Sequence, residues 1–245
     1  MLSRRSFLAA SGGALVALSV RAEVKSPVPT MLDHVLLGCS DLQAGIDFVE
    51  KHTGVRAAFG GAHPGRGTHN ALLSLGERQY LEIIAPDPRQ KAPDVSAMVP
   101  RAAVPLLNEL ESLTTPRLIG WAAHPGSLVD FAKRLRAAGI AFEGPTPGSR
   151  KRPDGQLLQW QTLDLKDDAS GLLPFFIEWS ADSPHPSADA PTGCRLARFE
   201  LAAPDPDSVK RTLAQLSLDA PITREDRPQL RARIVGPVGQ FEVVS

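Results

Sequence analysis

The chain has 245 residues and an even balance of 27 basic and 27 acidic side chains. A net charge of zero implies no basic face to track phosphates, so nucleic acid is not expected as a partner. Two cysteines, Cys39 and Cys194, are too few for a disulfide framework or a cysteine-based zinc site. The length suits one large domain or two small ones, and 22 prolines with few aromatics suit an α/β protein rich in turns.

Residues 1–22 read as an export signal. Arg4 and Arg5 stand in the pattern S-R-R-x-F-L, an apolar run follows from Phe7 to Val20, and Val20-Arg21-Ala22 offers a cleavage site. An apolar run of about 14 residues is short of the roughly 20 that span a bilayer, so a cleaved signal is expected rather than an anchor. With Ser3, Phe7 and Leu8 around them, the paired arginines look like a twin-arginine signal. A Sec signal that happens to hold two arginines is the competing reading. The expectation is an exported, periplasmic protein with no membrane contact after cleavage. Cleavage removes three arginines and no acid, leaving 24 basic against 27 acidic residues. Twin-arginine passengers fold before export, which suits a protein loaded with a cofactor or metal inside the cell. Export also permits one disulfide between Cys39 and Cys194, with two buried free thiols as the alternative.

The rest of the chain repeats a pattern. The strand LDHVLLG runs into a helix over SDLQAGIDFVEKHTG, where Ser40 and Gln43 form a capping box and Gly54 is the stop. Leu42, Ile46 and Val49 share one helical face. A second strand, LIGWAA, leads into GSLVDFAKRLRAAGI, with Ser127 and Asp130 at its start and Gly139 at its end. A third, CRLARFELA, leads into PDPDSVKRTLAQLSL, with Asp205 as cap and Pro206 at the first helical position. Strands follow each helix: HNALLSL and QYLEIIA, then QLLQWQTLDL and LLPFFIEW, then QLRARIV and QFEVVS. Each unit therefore reads β-α-β-β-β. The first module spans 31–115 with a linker helix from Ala103 to Leu113, the second 116–186, and a shorter third 194–245. The third copy either covers an open sheet edge or builds a surface for a second copy of the chain, a homodimer.

Paired β-α-β-β-β units, together with LDHVLLGCSDL, the stretch HTGVRAAFGGAHPGRGTHNALLSLGERQYLEIIAPDP, SRKRPDGQLLQW and LLPFFIEWSADSPHP, resemble the glyoxalase-like domain of the vicinal oxygen chelate superfamily. The resemblance covers roughly 31–186 and extends more weakly to about 216. It implies an α+β fold in which paired modules curl a mixed sheet round a cavity, with ligands drawn from the first and fourth strands of each module. In the first module those strands hold His34 and Glu82. In the second, Gly120 or Trp121 stands where His34 does, and Glu178 matches Glu82 loosely. Counting from Gly76 and Gly171, Glu82 aligns with Ile177, one residue away from Glu178, and one residue in a strand is the opposite face.

His34, Glu82 and Glu178 are the implied metal ligands, for Zn²⁺, Ni²⁺, Fe²⁺ or Mn²⁺. The other reading of His34 and Glu82 is a buried hydrogen-bonded pair, or Glu82 as a general base whose pKa is raised by its apolar surroundings. His69 is the second catalytic candidate. It begins a strand and faces either cavity or solvent, and Asn70 necessarily points the other way. The loop GGAHPGRGTHN, 60–70, either forms a backbone nest for anions, with Arg66 holding a carboxylate, or is a plain surface loop with His63 in it. Arg150 and Arg152, beside the PDG turn, either fix an acidic substrate or form a solvated basic turn. Trp160 either walls the pocket or packs the core. His124 and His185, beside prolines, read as structural.

By resemblance, the expected activity is a metal-dependent lyase, isomerase or dioxygenase-like reaction on a small oxygenated metabolite, a carboxylate among the candidates. The alternative is a binding protein that uses the same cavity for a small-molecule ligand without metal. Glutathione-dependent glyoxalase activity is not expected, because the full ligand set is missing. No nucleophile elbow, P-loop or dinucleotide fingerprint is present.

Overall fold

A computed structural model describes residues 27–90, 103–152, 154–166, 168 and 170–245. The export signal expected over residues 1–22 lies outside the described residues.

In the first module, β1 (Leu32–Gly38) leads into α1 (Leu42–Thr53), followed by β2 (Ala58–His63), β3 (Thr68–Gly76) and β4 (Gln79–Pro86). α1 begins where Asp41 accepts the Ala44 N–H at 2.7 Å, and it ends at Gly54 with φ of 78°. The N-cap is therefore Asp41, not the Ser40–Gln43 box expected from sequence. An aspartate one residue nearer the apolar stripe wins because its carboxylate reaches the free amides of the first turn. Leu42, Ile46 and Val49 bury the inner stripe. α1 lies close on the sheet because position 45 is glycine: a Cβ there would come 2.6 Å from Cys39 Sγ and 2.7 Å from Ile83.

A linker helix, α2 (Ala103–Ser112), joins the second module: β5 (Arg117–Ala123), α3 (Leu128–Ala137), β6 (Phe142–Lys151), β7 (Leu157–Leu165) and β8 (Phe175–Trp179). The two modules share one eight-stranded sheet in the order β2-β3-β4-β1-β5-β8-β7-β6. β1 pairs in parallel with β4 and β5 in parallel with β8, and the modules meet through antiparallel β1 and β5. This is the α+β fold expected from the repeated units: the first and fourth strands of each lie in the middle. The sheet curls until its edge strands meet, where Arg150 on β6 donates to the Gly60 carbonyl on β2. A turn of helix, α4 (Pro186–Asp189), then crosses the concave face, with Ala190 packed on Leu72 and Tyr80 and the Pro191 carbonyl taking the Ser74 N–H at 2.9 Å.

The third unit runs β9 (Arg195–Ala203), α5 (Pro206–Gln215), β10 (Ile222–Arg224), β11 (Gln229–Val235) and β12 (Gln240–Val244). Its element order repeats the module, but its pairing differs. β9 takes β10 as its parallel neighbour, giving a separate sheet in the order β10-β9-β11-β12. The inner face of this sheet closes the main core. Phe199 packs on Trp121 with ring centroids 5.0 Å apart, and Phe241 packs on Phe48 at 5.3 Å. Trp121 is fully buried and gives its indole N–H to the Leu172 carbonyl at 2.9 Å, as a buried indole must. Cys39 and Cys194 are both buried and unpaired thiols. Among the described residues no helix is long and apolar enough to cross a membrane.

Candidate functional site

The concave face carries a cluster of buried polar side chains, and strand register explains how they meet. On β4, Leu81, Ile83 and Ala85 turn toward the helices, which leaves Tyr80 and Glu82 on the other face. On β3 the same alternation sends Ala71, Leu73 and Leu75 into the core and leaves Asn70 and Leu72 beside Glu82. β1 breaks the alternation. Its pairing with β5 passes from Leu32↔Ala123 to His34↔Ala122, so β1 spends one extra residue there, a β-bulge. Leu32 and Val35 both reach the core, while Asp33 and His34 both bond within the cavity-side cluster.

Asp33 is the anchor. It has no exposed surface, and its carboxylate accepts from His34 Nδ1 at 2.7 Å, His185 Nε2 at 3.1 Å and Trp179 Nε1 at 3.5 Å. Burial pushes its pKa up, but the bonds from His185 and His34 outweigh burial and hold the carboxyl well below the usual range. His185 Nδ1 accepts the Ser187 N–H at 3.2 Å, so its proton sits on Nε2, facing Asp33. His34 gives Nδ1–H to Asp33 and turns Nε2 toward Glu82 Oε2, 3.4 Å away. Tyr80 stacks on the His34 ring with centroids 4.4 Å apart, and Phe175 meets it edge-on at 5.5 Å.

Glu82 is held from three sides. Asn70 Nδ2 donates to Oε1 at 2.7 Å and also reaches His63 Nε2 at 3.2 Å. That nitrogen of His63 lies 3.6 Å from the same carboxylate oxygen, and His63 Nδ1 pairs with Thr68 Oγ1 at 2.9 Å. Burial raises the Glu82 pKa, yet His63, His34, Asn70 and Arg150 together bring it below the ordinary value. The raised pKa expected from apolar neighbours is thus reversed, because strand register surrounds the carboxylate with donors that the linear sequence scatters. Burial lowers His63 to about 4, leaving it neutral near pH 7. Arg150 is also buried, and burial lowers its pKa.

Several expected site residues stand elsewhere. Glu178 accepts the Leu128 N–H at 2.7 Å and so caps the start of α3, where a carboxylate suits the helix dipole. The β5–β8 pairing Ala122↔Phe175 mirrors His34↔Tyr80, which sets Ala122 opposite in role to His34 and Ile177 to Glu82. The one-residue offset is real, and Glu178 falls on the other face. His69 also points away from Glu82, because Asn70 takes the cavity side. Its Nδ1 lies 3.8 Å from Asp87 beside a separate cleft of about 650 Å³, where Asp87 is already bound by Arg89 and Gln90. Arg152 pairs with Asp189 at 2.6 Å, and Trp160 packs on Trp179 at 5.4 Å. Arg66 sits in the β2–β3 turn, near enough to His63 to disfavour its protonation. His63 and His185, which read from sequence as a loop and a structural histidine, join the cluster, as does Asp33. Asp33 sits beside His34 in LDHV and was the one legible hint.

The four-donor set expected for a divalent ion is not complete on this face. By strand pairing the second-module counterparts of His34 and Glu82 are Ala122, in place of the expected Gly120 or Trp121, and Ile177; neither carries a donor, and Glu178 is engaged on the far side. Among the described residues no group of three His, Cys, Asp or Glu side chains is placed to hold an ion. What remains is a largely buried set of titratable side chains around an ionised carboxylate.

A comparison with curated proteins finds no match. Among solved structures, a hypothetical protein from Staphylococcus aureus aligns over 88% of this chain and 86% of its own, at 16% identity and a TM-score of 0.61. Methylmalonyl-CoA epimerase from Mycobacterium tuberculosis aligns over 63% of this chain and 91% of its own, at 23% identity and a TM-score of 0.43. A Streptomyces coelicolor methylmalonyl-CoA epimerase, solved with 2-nitronate-propionyl-CoA, gives 64%, 99%, 19% and 0.43 in the same order. The first of these shares the fold. The family model described as glyoxalase-like domain matches residues 32–217, and the chain belongs to that family.

Proposed function

We propose that this chain is a proton-transfer enzyme, isomerase or lyase in type, acting on a small oxygenated metabolite. Glu82 is the base, His34 its partner in moving the proton, and Arg150 the cation that steadies negative charge developing on substrate oxygen. One observation carries this reading: Glu82 is a buried carboxylate held ionised between His34 and His63, with His34 Nε2 3.4 Å from its oxygen. That spacing lets a proton taken up by Glu82 pass to His34, whose other nitrogen is fixed by Asp33. No step in this reading needs a metal.

Non-catalytic binding is the second reading. It is favoured by the strap over the concave face, which leaves His34 only 1% exposed and Glu82 8%. The two readings separate in D₂O. The protein is incubated with small 2-hydroxy carboxylates, and loss of the C2–H signal is followed by NMR. The enzyme reading expects exchange that falls about 10²- to 10⁴-fold in Glu82→Gln, the usual worth of a general base. Exchange no faster with wild type than with Glu82→Gln, across compounds that do bind, would leave a binding protein.

A further inference from the structure

The seam where β2 meets β6 encloses a cavity of about 170 Å³ that the cluster around Glu82 does not use. Leu72, Leu158 and Phe59 give it apolar walls, and Pro186 and Ala190 of the strap roof it. Leu72 is the register partner of Glu82, so the cavity stands one strand from the proposed base.

Arg150 lines this space and is 4% exposed. A guanidinium carries five N–H donors, and the contact made here is one bond to the Gly60 carbonyl. Among the described residues no carboxylate lies within ion-pairing distance of it. Its neighbour Arg152 is different: Asp189 at 2.6 Å and Asp154 at 3.4 Å already balance it. The cavity thus holds one positive charge with no carboxylate in direct contact, Glu82 acting on it only through space. An unmet acceptor stands behind the Gly60 wall. Asn70 Oδ1 is buried with no partner, and it lies so close to Gly60 that a Cβ there would come within 2.4 Å. Only glycine lets the amide oxygen sit at that wall.

We propose that this seam cavity recognises a short 2-hydroxy monocarboxylate, with the carboxylate on the Arg150 fork and the hydroxyl donating to Asn70 Oδ1. A single unpaired cation matches one negative charge, which selects against dicarboxylates and phosphates. The volume is the room of roughly six waters at about 30 Å³ each, enough for a molecule of about six non-hydrogen atoms. The assignment names the substrate class of the site proposed above and rests on that reading.

The test uses the full chain, isothermal titration and four probes: lactate, lactamide, malate and inorganic phosphate. Lactate is expected to bind saturably, and the other three at least tenfold more weakly. Arg150→Lys keeps the charge but loses the fork, and lactate affinity should drop about tenfold or more. Ala190→Leu fills the cavity with Arg150 intact and should abolish binding with the melting curve still cooperative. Glu82→Gln should keep lactate binding while losing C2–H exchange. Lactate that does not bind wild type, or binds Ala190→Leu as well as wild type, overturns the assignment. So does lactamide binding as tightly as lactate. Lactate binding without C2–H exchange in wild type refutes the proton-transfer reading and leaves the cavity assignment standing. Exchange on uncharged compounds with no carboxylate binding does the reverse.

Discussion

Replacing Asp33 by Asn is expected to destabilise the protein as strongly as replacing it by Ala. The carboxylate accepts from three donors, His34 Nδ1, His185 Nε2 and Trp179 Nε1, with no exposed surface. An asparagine keeps one acceptor oxygen and sets an NH₂ against the remaining donors. His185 cannot simply move its proton, because Nδ1 already accepts the Ser187 N–H. Breaking a buried charged pair by removing one partner costs about 3–5 kcal/mol. For a chain of this size about 1 kcal/mol shifts Tm by roughly 2–4 °C, so a fall of about 6–20 °C is expected in both variants. The pH profile gives an independent check. The folded pKa of Asp33 lies below its unfolded value. Its stabilisation is therefore full above the ordinary carboxylate range and is lost as pH falls through the folded value. Wild type and Asp33→Asn should differ most at neutral pH and converge in strong acid. Denaturant melts at pH 7 that place Asp33→Asn within about 1 kcal/mol of wild type, the size of one ordinary neutral hydrogen bond, would refute the account of Asp33 as the anchor.

Glu178→Ala should cost about 1 kcal/mol through loss of the α3 cap and leave C2–H exchange unchanged; lost exchange with an unchanged Tm would return Glu178 to the active site. His63 has a folded pKa of about 4 against an ordinary 6.5, so the folded state takes up its proton later than the unfolded chain. Stability should be full above pH 6.5 and fall by up to about 3 kcal/mol as pH drops to 4, since each pKa unit is worth about 1.36 kcal/mol. His63→Gln should flatten that part of the curve in urea melts taken at stepped pH, and an unchanged slope would refute it.

The fold was legible because its signals are local and repeated. Apolar strand, capped helix and paired strands recur, and each helix carries its own stripe, cap and stop. The β1–β4 and β5–β8 neighbours follow from the module resemblance, as found. Cap choice was less legible, since Ser40 and Asp41 are both good caps one residue apart. The site was half legible. Glu82 stood out as a carboxylate inside LEII, and His34 as an imidazole inside HVLL. Asn70, opposite His69 by alternation, proved to be the one that faces Glu82. His185 lies 152 residues from Asp33, and no local pattern joins them. The bulge in β1 was equally hidden. It turns both Asp33 and His34 to one side against the two-residue period that strand reading assumes.

The two modules contribute unequal side chains to the proposed site, and the ligand set expected from the resemblance is half empty, its blanks in the second. The first supplies Asp33, His34, Asn70 and Glu82. The second has Ala122 and Ile177 at the matching positions and contributes instead Arg150, Trp179 and the strap with His185. If those pairings are true equivalents, restoring donors at both blanks should complete a four-donor metal site. Ala122→His with Ile177→Glu would put two new donors near His34 and Glu82. Overpacking a buried alanine costs about 1–3 kcal/mol, which a bound ion can offset only if the four groups converge. The expected result is about one equivalent of Zn²⁺ by elemental analysis, a Tm that rises with added Zn²⁺, and loss of both in the His34→Ala background. Wild type carried through the same purification should take up far less. One equivalent in wild type, lost in both His34→Ala and Glu82→Ala, would show that the donors of the first module suffice and would overturn the metal-free reading. A double variant that folds but ignores Zn²⁺ would mean that Ala122 and Ile177 do not stand where the pairing puts them.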